Sequence, residues 1–370
     1  MKRTVSIVGA GRVGKTLGKR LRERGWRIGA VVTRSAASAR AAVRVIGAGT
    51  PLVADIRALR QGTASAVPKS RSLKGGSAGL QPREHRPVSK GASAPAIAAI
   101  LAAETFRGSE LQLRHKPAFK KGVFAPFASR SISDREAPEV GAILAADLIF
   151  FATPDDALPA VAEALAKMAG SAWRGKIALH TSATLDRSAL TPLARRGAAT
   201  GSLHPMQAFG GEIVPKLNGV IFAIEGDAKA RRMARSIAKS LGGIPIAIDT
   251  RDKPVYHAAA VIAAGSAYAT TETGLRMLMR IGFSRVQAMQ TLVPLMRQIF
   301  DNIERIGPRA AWTGPLSRGD YAIVAKHVRA LRRYPREIQQ AYGALALLAG
   351  RVLARNPAAA LKEIKRALKV

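Results

Sequence analysis

Apolar and polar positions follow two registers along this chain, and each predicts a different element. TVSIV, residues 4–8, is a β-branched run ending at a glycine cluster, which predicts a strand. Leu17 and Leu21 then lie four apart and Gly25 supplies a stop, so a helix is expected between the cluster and that glycine. RIGAVV, 27–32, predicts a second strand. Regularity lapses from about 51 to 140, a basic, turn-rich stretch read as an insertion, mostly disordered, with one short helix in APAIAAILAAETF. A tolerated insertion is preferred to a functional arm, because surface loops absorb added length at little entropic cost.

Order resumes at DLIFFATPDDAL, where Leu148 to Ala152 read as a buried parallel strand. KIALHTSA and VIFAIEG predict two more strands, and IPIAID closes the sheet near 249. Between them Met233, Ile237 and Leu241 mark an amphipathic helix stopped by Gly242 and Gly243. After Asp252 only helical periodicity is left. Val286, Met289, Val293, Met296, Phe300 and Ile303 form an expected core-facing stripe, and Pro294 inside it predicts a kink. Asp320 is expected to cap the helix at 321–331, with Pro335 and Pro357 in the first turns of two more. The fold expected is α/β followed by all-α. A nucleotide-binding domain at 1–250, interrupted at 51–140, precedes a helical substrate and dimerisation domain at 251–370.

The chain has 370 residues, 48% of them hydrophobic, and no cysteine, which excludes disulfides, thiolate metal sites and cysteine nucleophiles. Its net charge of +35 is spread along the chain, and aromatics are only 5%. Stacking platforms for single strands are therefore scarce, and the charge is read as a basic surface that favours anionic ligands over a nucleic-acid partner. The first apolar run is too short for a signal peptide, and no stretch supplies an unbroken span, so a cytoplasmic protein with no membrane partner is expected.

IVGAGRVGKTLG, residues 7–18, fits two phosphate-binding patterns. Gly9, Gly11 and Gly14 spell the dinucleotide fingerprint, while Gly9, Gly14, Lys15 and Thr16 spell a P-loop. The strand–glycine turn–helix–strand setting is the one the fingerprint requires, and Gly11 is needed for close approach to a pyrophosphate but not by a P-loop. The acids of LIFFATPDD stand too far beyond their strand for the magnesium a P-loop needs. The dinucleotide reading is preferred; Arg12 and Val13 complete the loop. At the end of the second strand, where an NAD site carries an acid, the chain has Thr33, Arg34 and Ser35. A guanidinium with two hydroxyls suits a 2′-phosphate, with Arg12 as a second contributor, so the cofactor expected is NADP.

GSLHPMQAFGG, KPVYHAAAV and WTGPLSRGD together resemble a known family: Rossmann-like proteins whose C-terminal half is called domain of unknown function 2520. These are related to deazaflavin-dependent NADP reductases and to helical domains of the 6-phosphogluconate dehydrogenase type. The resemblance covers about 1–50 and 140–350, in halves of about 1–200 and 201–350. It implies a Rossmann domain, a helical domain of that type, substrate contacts and a homodimer interface on the helical half. Two departures stand out: the insertion, and Gly265, where the resemblance implies a substrate-holding asparagine.

Parallel sheets bind ligands at the carboxyl ends of their strands, which collects the glycine loop, Thr153, Pro154, Asp155, His180, Thr181, Ser182 and His204 around one crevice. Hydride transfer needs a proton donor. His204 ranks first because an ordinary histidine titrates in range, with Lys253 and His257 second. His180 is read as structural and His327 as core. Thr181, Ser182, Thr313 and Arg318 are candidate substrate contacts; alternatively an Arg318–Asp320 pair pins the loop. Six histidines lack zinc spacing, so no metal is expected. The leading reading is an NADP(H)-dependent oxidoreductase acting on a small anionic keto or imine substrate in an inter-domain cleft. A non-catalytic NADP sensor or scaffold, and a P-loop nucleoside triphosphatase, are the alternatives.

Overall fold

The computed structural model describes residues 3–53, 137–211 and 213–369. Most of the expected insertion, with its short helix, lies outside the described residues. The chain divides into two units, the first running to Ala264 and the second from Gly265.

The first unit runs β1 (Thr4–Val8), α1 (Arg12–Glu23), β2 (Arg27–Thr33), α2 (Ala36–Ile46), β3 (Thr50–Val53), α3 (Ala137–Leu144), β4 (Leu148–Phe151), α4 (Leu158–Ala169), β5 (Ile177–His180), α5 (Thr191–Ala194), β6 (Ala199–Pro205), β7 (Ile221–Gly226), α6 (Ala228–Ser240), β8 (Ile244–Ala247) and α7 (Lys253–Ala260). The strands form one sheet in the order β3-β2-β1-β4-β5-β6-β7-β8. All neighbours are parallel except β6 and β7. This is the doubly wound Rossmann order, and its direction of winding reverses between β1 and β4.

Alternation along the strands fills both faces. Val5, Ile7, Val31 and Phe150 pack with Leu17, Leu21, Ile46 and Ile237 on one side. Val8, Val32, Ile149 and Phe151 pack with Ile143, Leu158, Leu165 and Trp173 on the other. Four fully buried side chains on β4 explain why its sequence is continuously apolar.

Two strands differ from the sequence expectation. Thr50–Val53 is not the start of the insertion but β3, an edge strand containing Pro51. Pro51 lacks an amide donor, which an edge position tolerates. β6 carries buried polar residues, Thr200 and Ser202, that hid its strand character. The far edge, β8, also carries a proline, Pro245.

The second unit holds α8 (Ser266–Arg280), α9 (Arg285–Ile306), α10 (Pro315–Arg318), α11 (Tyr321–Leu331), α12 (Arg336–Val352) and α13 (Pro357–Leu368). A π-helical turn, Val261–Gly265, joins α7 to α8. α9 opens with a capping box, Ser284 and Gln287, and continues through Pro294. Its predicted core stripe is not buried: Val286 is 65% exposed and Phe300 55%. α8 covers only one side of α9, through pairs such as Thr271 with Met296 and Gly274 with Leu292.

Asp320 stands at the N-cap of α11 but makes no capping bond, because its carboxylate is taken by Arg318 at 3.0 Å. Pro335 is the N-cap residue of α12 and Pro357 opens α13. His327 is exposed and not core; its Nδ1 meets the Tyr342 hydroxyl at 2.9 Å. No helix among the described residues is long and apolar enough to cross a membrane.

Candidate functional site

A cleft of about 970 Å³ opens at the carboxyl ends of the first unit's strands. It is lined by Gly9, Gly11 and Val13 from the glycine loop and first turn of α1, by Thr33 and Arg34 from the end of β2, and by Thr153, Pro154 and Asp155 beyond β4. Thr181 and Ser182 beyond β5, His204 from β6 and His257 from α7 complete the ring of expected residues.

The loop's glycines have separate physical reasons. Gly9 has φ +91°, and a Cβ there would stand 2.6 Å from the main chain of Ala152 and Thr153. Gly11 faces open space, and it N-caps α1 without any side-chain bond. No acid occupies the first turn of α1, so its amides and the positive end of the helix dipole meet the cleft unneutralised. Gly14 is buried against Gly9 and Ile7, a packing role.

The remaining expected cofactor residues fall unevenly. Arg34 is exposed at the cleft with no acid partner among the described residues, and Ser38 and Lys15 line the wall near it. Ser35 is occupied as the N-cap of α2, accepting from the Ser38 amide, and Thr33 donates to the Ser35 carbonyl. Arg12 turns away from the cleft: its Nη1 donates to the Phe209 carbonyl at 3.1 Å, and Arg20 on the same helix holds the carbonyls of Val214 and Pro215. A second contribution from Arg12 to a phosphate pocket therefore does not follow. The Thr16 hydroxyl is 2% exposed in residue terms and donates to the Arg12 carbonyl, where it is not placed to ligate magnesium. Among the described residues no cluster of side chains is suited to hold a metal ion.

Asp155 accepts from the hydroxyls of Ser182 at 2.7 Å and Thr184 at 2.9 Å, which ties the β4 and β5 loops together. Two cleft residues carry buried polar atoms without a hydrogen-bond partner, Thr153 Oγ1 and His257 Nδ1. Burial of unsatisfied polar atoms is costly, which sets these two apart among the cleft residues.

His204 Nδ1 lies 3.1 Å from the Tyr256 hydroxyl, and the His257 ring stands edge-on to it at 6.5 Å between centroids. Burial, then His257 and Lys253, lower the His204 imidazole to about 4. It is therefore neutral at pH 7, unlike the near-neutral titration expected of an ordinary histidine. Burial holds Tyr256 up at about 12, so its phenol stays protonated. Tyr256 was missed from sequence, although YH follows Lys253 on one helical face. Lys253 does not line the cleft; it is 2% exposed and donates to Ser202 Oγ at 2.9 Å. His180 is fully buried with both ring nitrogens engaged by main chain, as a structural histidine should be. Thr313 and Arg318 belong to the second unit, Thr313 exposed before α10 and Arg318 paired to Asp320.

The sheet order, the glycine loop and the helical second unit define a Rossmann-fold protein with an all-helical C-terminal region. Family models agree. A Rossmann-like domain matches residues 122–205, and the domain of unknown function DUF2520 matches 220–349. The chain is thus a Rossmann-like protein carrying a DUF2520 C-terminal domain.

Among solved structures it is similar to a proposed NADP oxidoreductase from Bacteroides fragilis, at 17% identity over 93% of this chain and 96% of that one, TM-score 0.59. A reductive aminase from Aspergillus terreus in complex with NADPH and ethyl-5-oxohexanoate is 14% identical over 98% and 99%, TM-score 0.53. An imine reductase from Streptomyces aurantiacus is 13% identical over all of both chains, TM-score 0.52. At these identities the likeness is one of fold. No curated protein sequence matches the chain.

Proposed function

We propose that the chain is an NADP(H)-dependent oxidoreductase that reduces or forms a C=O or C=N bond of a small anionic substrate in the cleft of its first unit. The observation carrying this reading is the uncapped, acid-free N-terminus of α1 opening onto a cleft that also holds Arg34 at one side and His204 at another. The amides of Arg12, Val13 and Gly14 would hold a pyrophosphate. Arg34 and Ser38 would hold the 2′-phosphate, where a carboxylate would select NAD instead. NADPH, when bound, supplies the hydride.

The chain's own residues handle the proton. We assign Tyr256 as the donor across its 3.1 Å contact with His204 Nδ1, which puts the imidazole proton on Nε2. His204 then offers Nε2–H to the substrate heteroatom as the phenol proton passes to Nδ1, and the phenol regains its proton from water, so the proton delivered comes in the end from solvent. Thr153 and His257, each with a buried polar atom left unpaired, line the same cleft. The NADPH-bound reductive aminase and the imine reductase support C=N substrates as the first to screen.

Fluorescence titration with NADPH, NADH and ATP tests the reading. NADPH is expected to bind most tightly, and ATP binding without NADPH binding would overturn it. A sensor without turnover is the second reading. It is favoured by Gly265, which ends the π-helical turn with no side chain where an asparagine is implied by the family resemblance. NADPH oxidation against a panel of keto acids and imines separates the two. We also propose that α9, whose exposed apolar residues include Val286, Leu295, Ile299 and Phe300, packs on a second copy of this chain.

A further inference from the structure

Beneath the cleft lies a chain of buried polar groups that no cofactor contact explains. Lys253 Nζ donates to Ser202 Oγ at 2.9 Å. Ser202 lies opposite Glu225 across the β6–β7 pair, and its hydroxyl reaches Glu225 Oε2 at 3.5 Å. The same carboxylate oxygen accepts the Arg187 amide at 3.0 Å. All three side chains are under a tenth exposed.

Element periodicity links this chain to the cleft. Ser202 and His204 are two apart on β6 and share a face. Lys253, Tyr256 and His257 are three and four apart on α7 and share a face. The two faces meet in two rungs, Lys253 on Ser202 below and Tyr256 with His257 on His204 above. The lower rung therefore sets the register of the upper one. His204 is faced by His257, Tyr256 and Lys253 from α7 and by Asp155 from beyond β4. Lys253 is faced by Glu225 from β7, by His180 from β5, by Asp186 after β5 and by Asp155.

We propose that Lys253, clamped through Ser202 to Glu225, is a positioning residue that seats α7 on β6 and so holds His204 in one tautomer against Tyr256. It deepens the reading of His204 as the cleft's proton donor and rests on it for its functional meaning. Burial lowers the lysine and raises Glu225, each moderated by the other, so a well-fitted pair is needed to keep the site closed. An ammonium at this place also repels a second positive charge on His204.

The test is nitrogen-resolved histidine NMR on the full chain, with the His204 signals assigned by their loss in His204→Gln. The parent is expected to show one neutral tautomer, protonated on Nε2, from pH 5.5 to 8. Lys253→Met is expected to give averaged shifts of two tautomers and a His204 midpoint raised by about one pH unit, a like charge having been removed. Lys253→Arg is expected to restore the single tautomer. A folded Lys253→Met that keeps the parent tautomer and midpoint overturns the proposal, as does a Lys253→Arg no better than Lys253→Met.

Should Lys253→Met fail to fold, Ser202→Ala carries the test, since it removes the acceptor and leaves the charge. Mixed tautomers are expected there, and the parent tautomer would refute the clamp. NADPH binding in the same samples reports on the oxidoreductase reading separately, because the tautomer state is read without cofactor or turnover.

Discussion

Acid is expected to destabilise the first unit through His180. The ring is fully buried at the end of β5. Its Nε2 stands 3.0 Å from the Asp186 carbonyl and its Nδ1 accepts the Ser182 amide at 3.2 Å. A neutral ring protonated on Nε2 satisfies both main-chain groups; a proton on Nδ1 sets two donors against each other. Burial, then Lys253, lower the imidazole from 6.5 to about 4. The folded value is below the unfolded one, so the unfolded chain binds more protons between them. Stability is therefore complete above pH 6.5, falls as pH drops toward 4 and levels off below. One proton changes stability by about 1.4 kcal/mol per pH unit, so the window holds about 3 kcal/mol as an upper bound.

His204, lowered in the same direction, adds to the trend over the same range. The assay is urea unfolding at pH 7, 6 and 5 for the parent and for His180→Gln, whose amide keeps a donor and an acceptor but does not titrate. The parent is expected to lose stability across that series, and the variant's slope should be shallower by about 1 kcal/mol per unit. A parent flat from pH 6.5 to 5, or equal slopes in the two proteins, would refute the argument.

Other outcomes follow from the cleft and the helices. Arg34→Ala should weaken NADPH by roughly ten- to a hundredfold, the worth of a charge-assisted bond, and leave NADH nearly unchanged; equal losses on titration would remove the phosphate role. Gly9→Ala, forced onto φ +91° against the Ala152 carbonyl, should cost about 2–4 kcal/mol or abolish cofactor binding, read by thermal melting with and without NADPH. Tyr256→Phe should fold normally yet slow turnover of whichever substrate the NADPH-oxidation screen finds; an unchanged rate would take Tyr256 out of the proton path. Phe300→Glu should yield a monomer by light scattering if α9 seats a second copy, and an unaltered mass would exclude that face.

Much of the first unit was legible because its strands are buried on both faces and read as plain apolar runs, as β1 and β4 do. β3 was hidden by Pro51, which argues against a strand everywhere except at an edge. β6 was hidden by Ser202, Thr200 and His204, whose partners lie on β7 and α7, far along the chain. For the same reason Lys253 looked like a reactive amine in sequence: nothing local shows that Ser202 and Glu225 enclose it. The placement of the glycine loop and Arg34 at the cleft was readable because each directly follows a strand end. Arg12 was not, since its target, the Phe209 carbonyl, comes from a loop almost two hundred positions later. The α9 stripe shows the converse limit: periodicity identifies an apolar side without saying what covers it.

Among the described residues, the sheet begins and ends on strands that each contain a proline, Pro51 and Pro245. A ring nitrogen in place of an amide interrupts the row of donors that an incoming foreign strand would copy. Fibril-like growth from either margin is thereby blunted without any helix having to cover it. Restoring an amide at the more apolar margin, as in Pro245→Val, removes that guard beside the exposed Ile244 and Ile246.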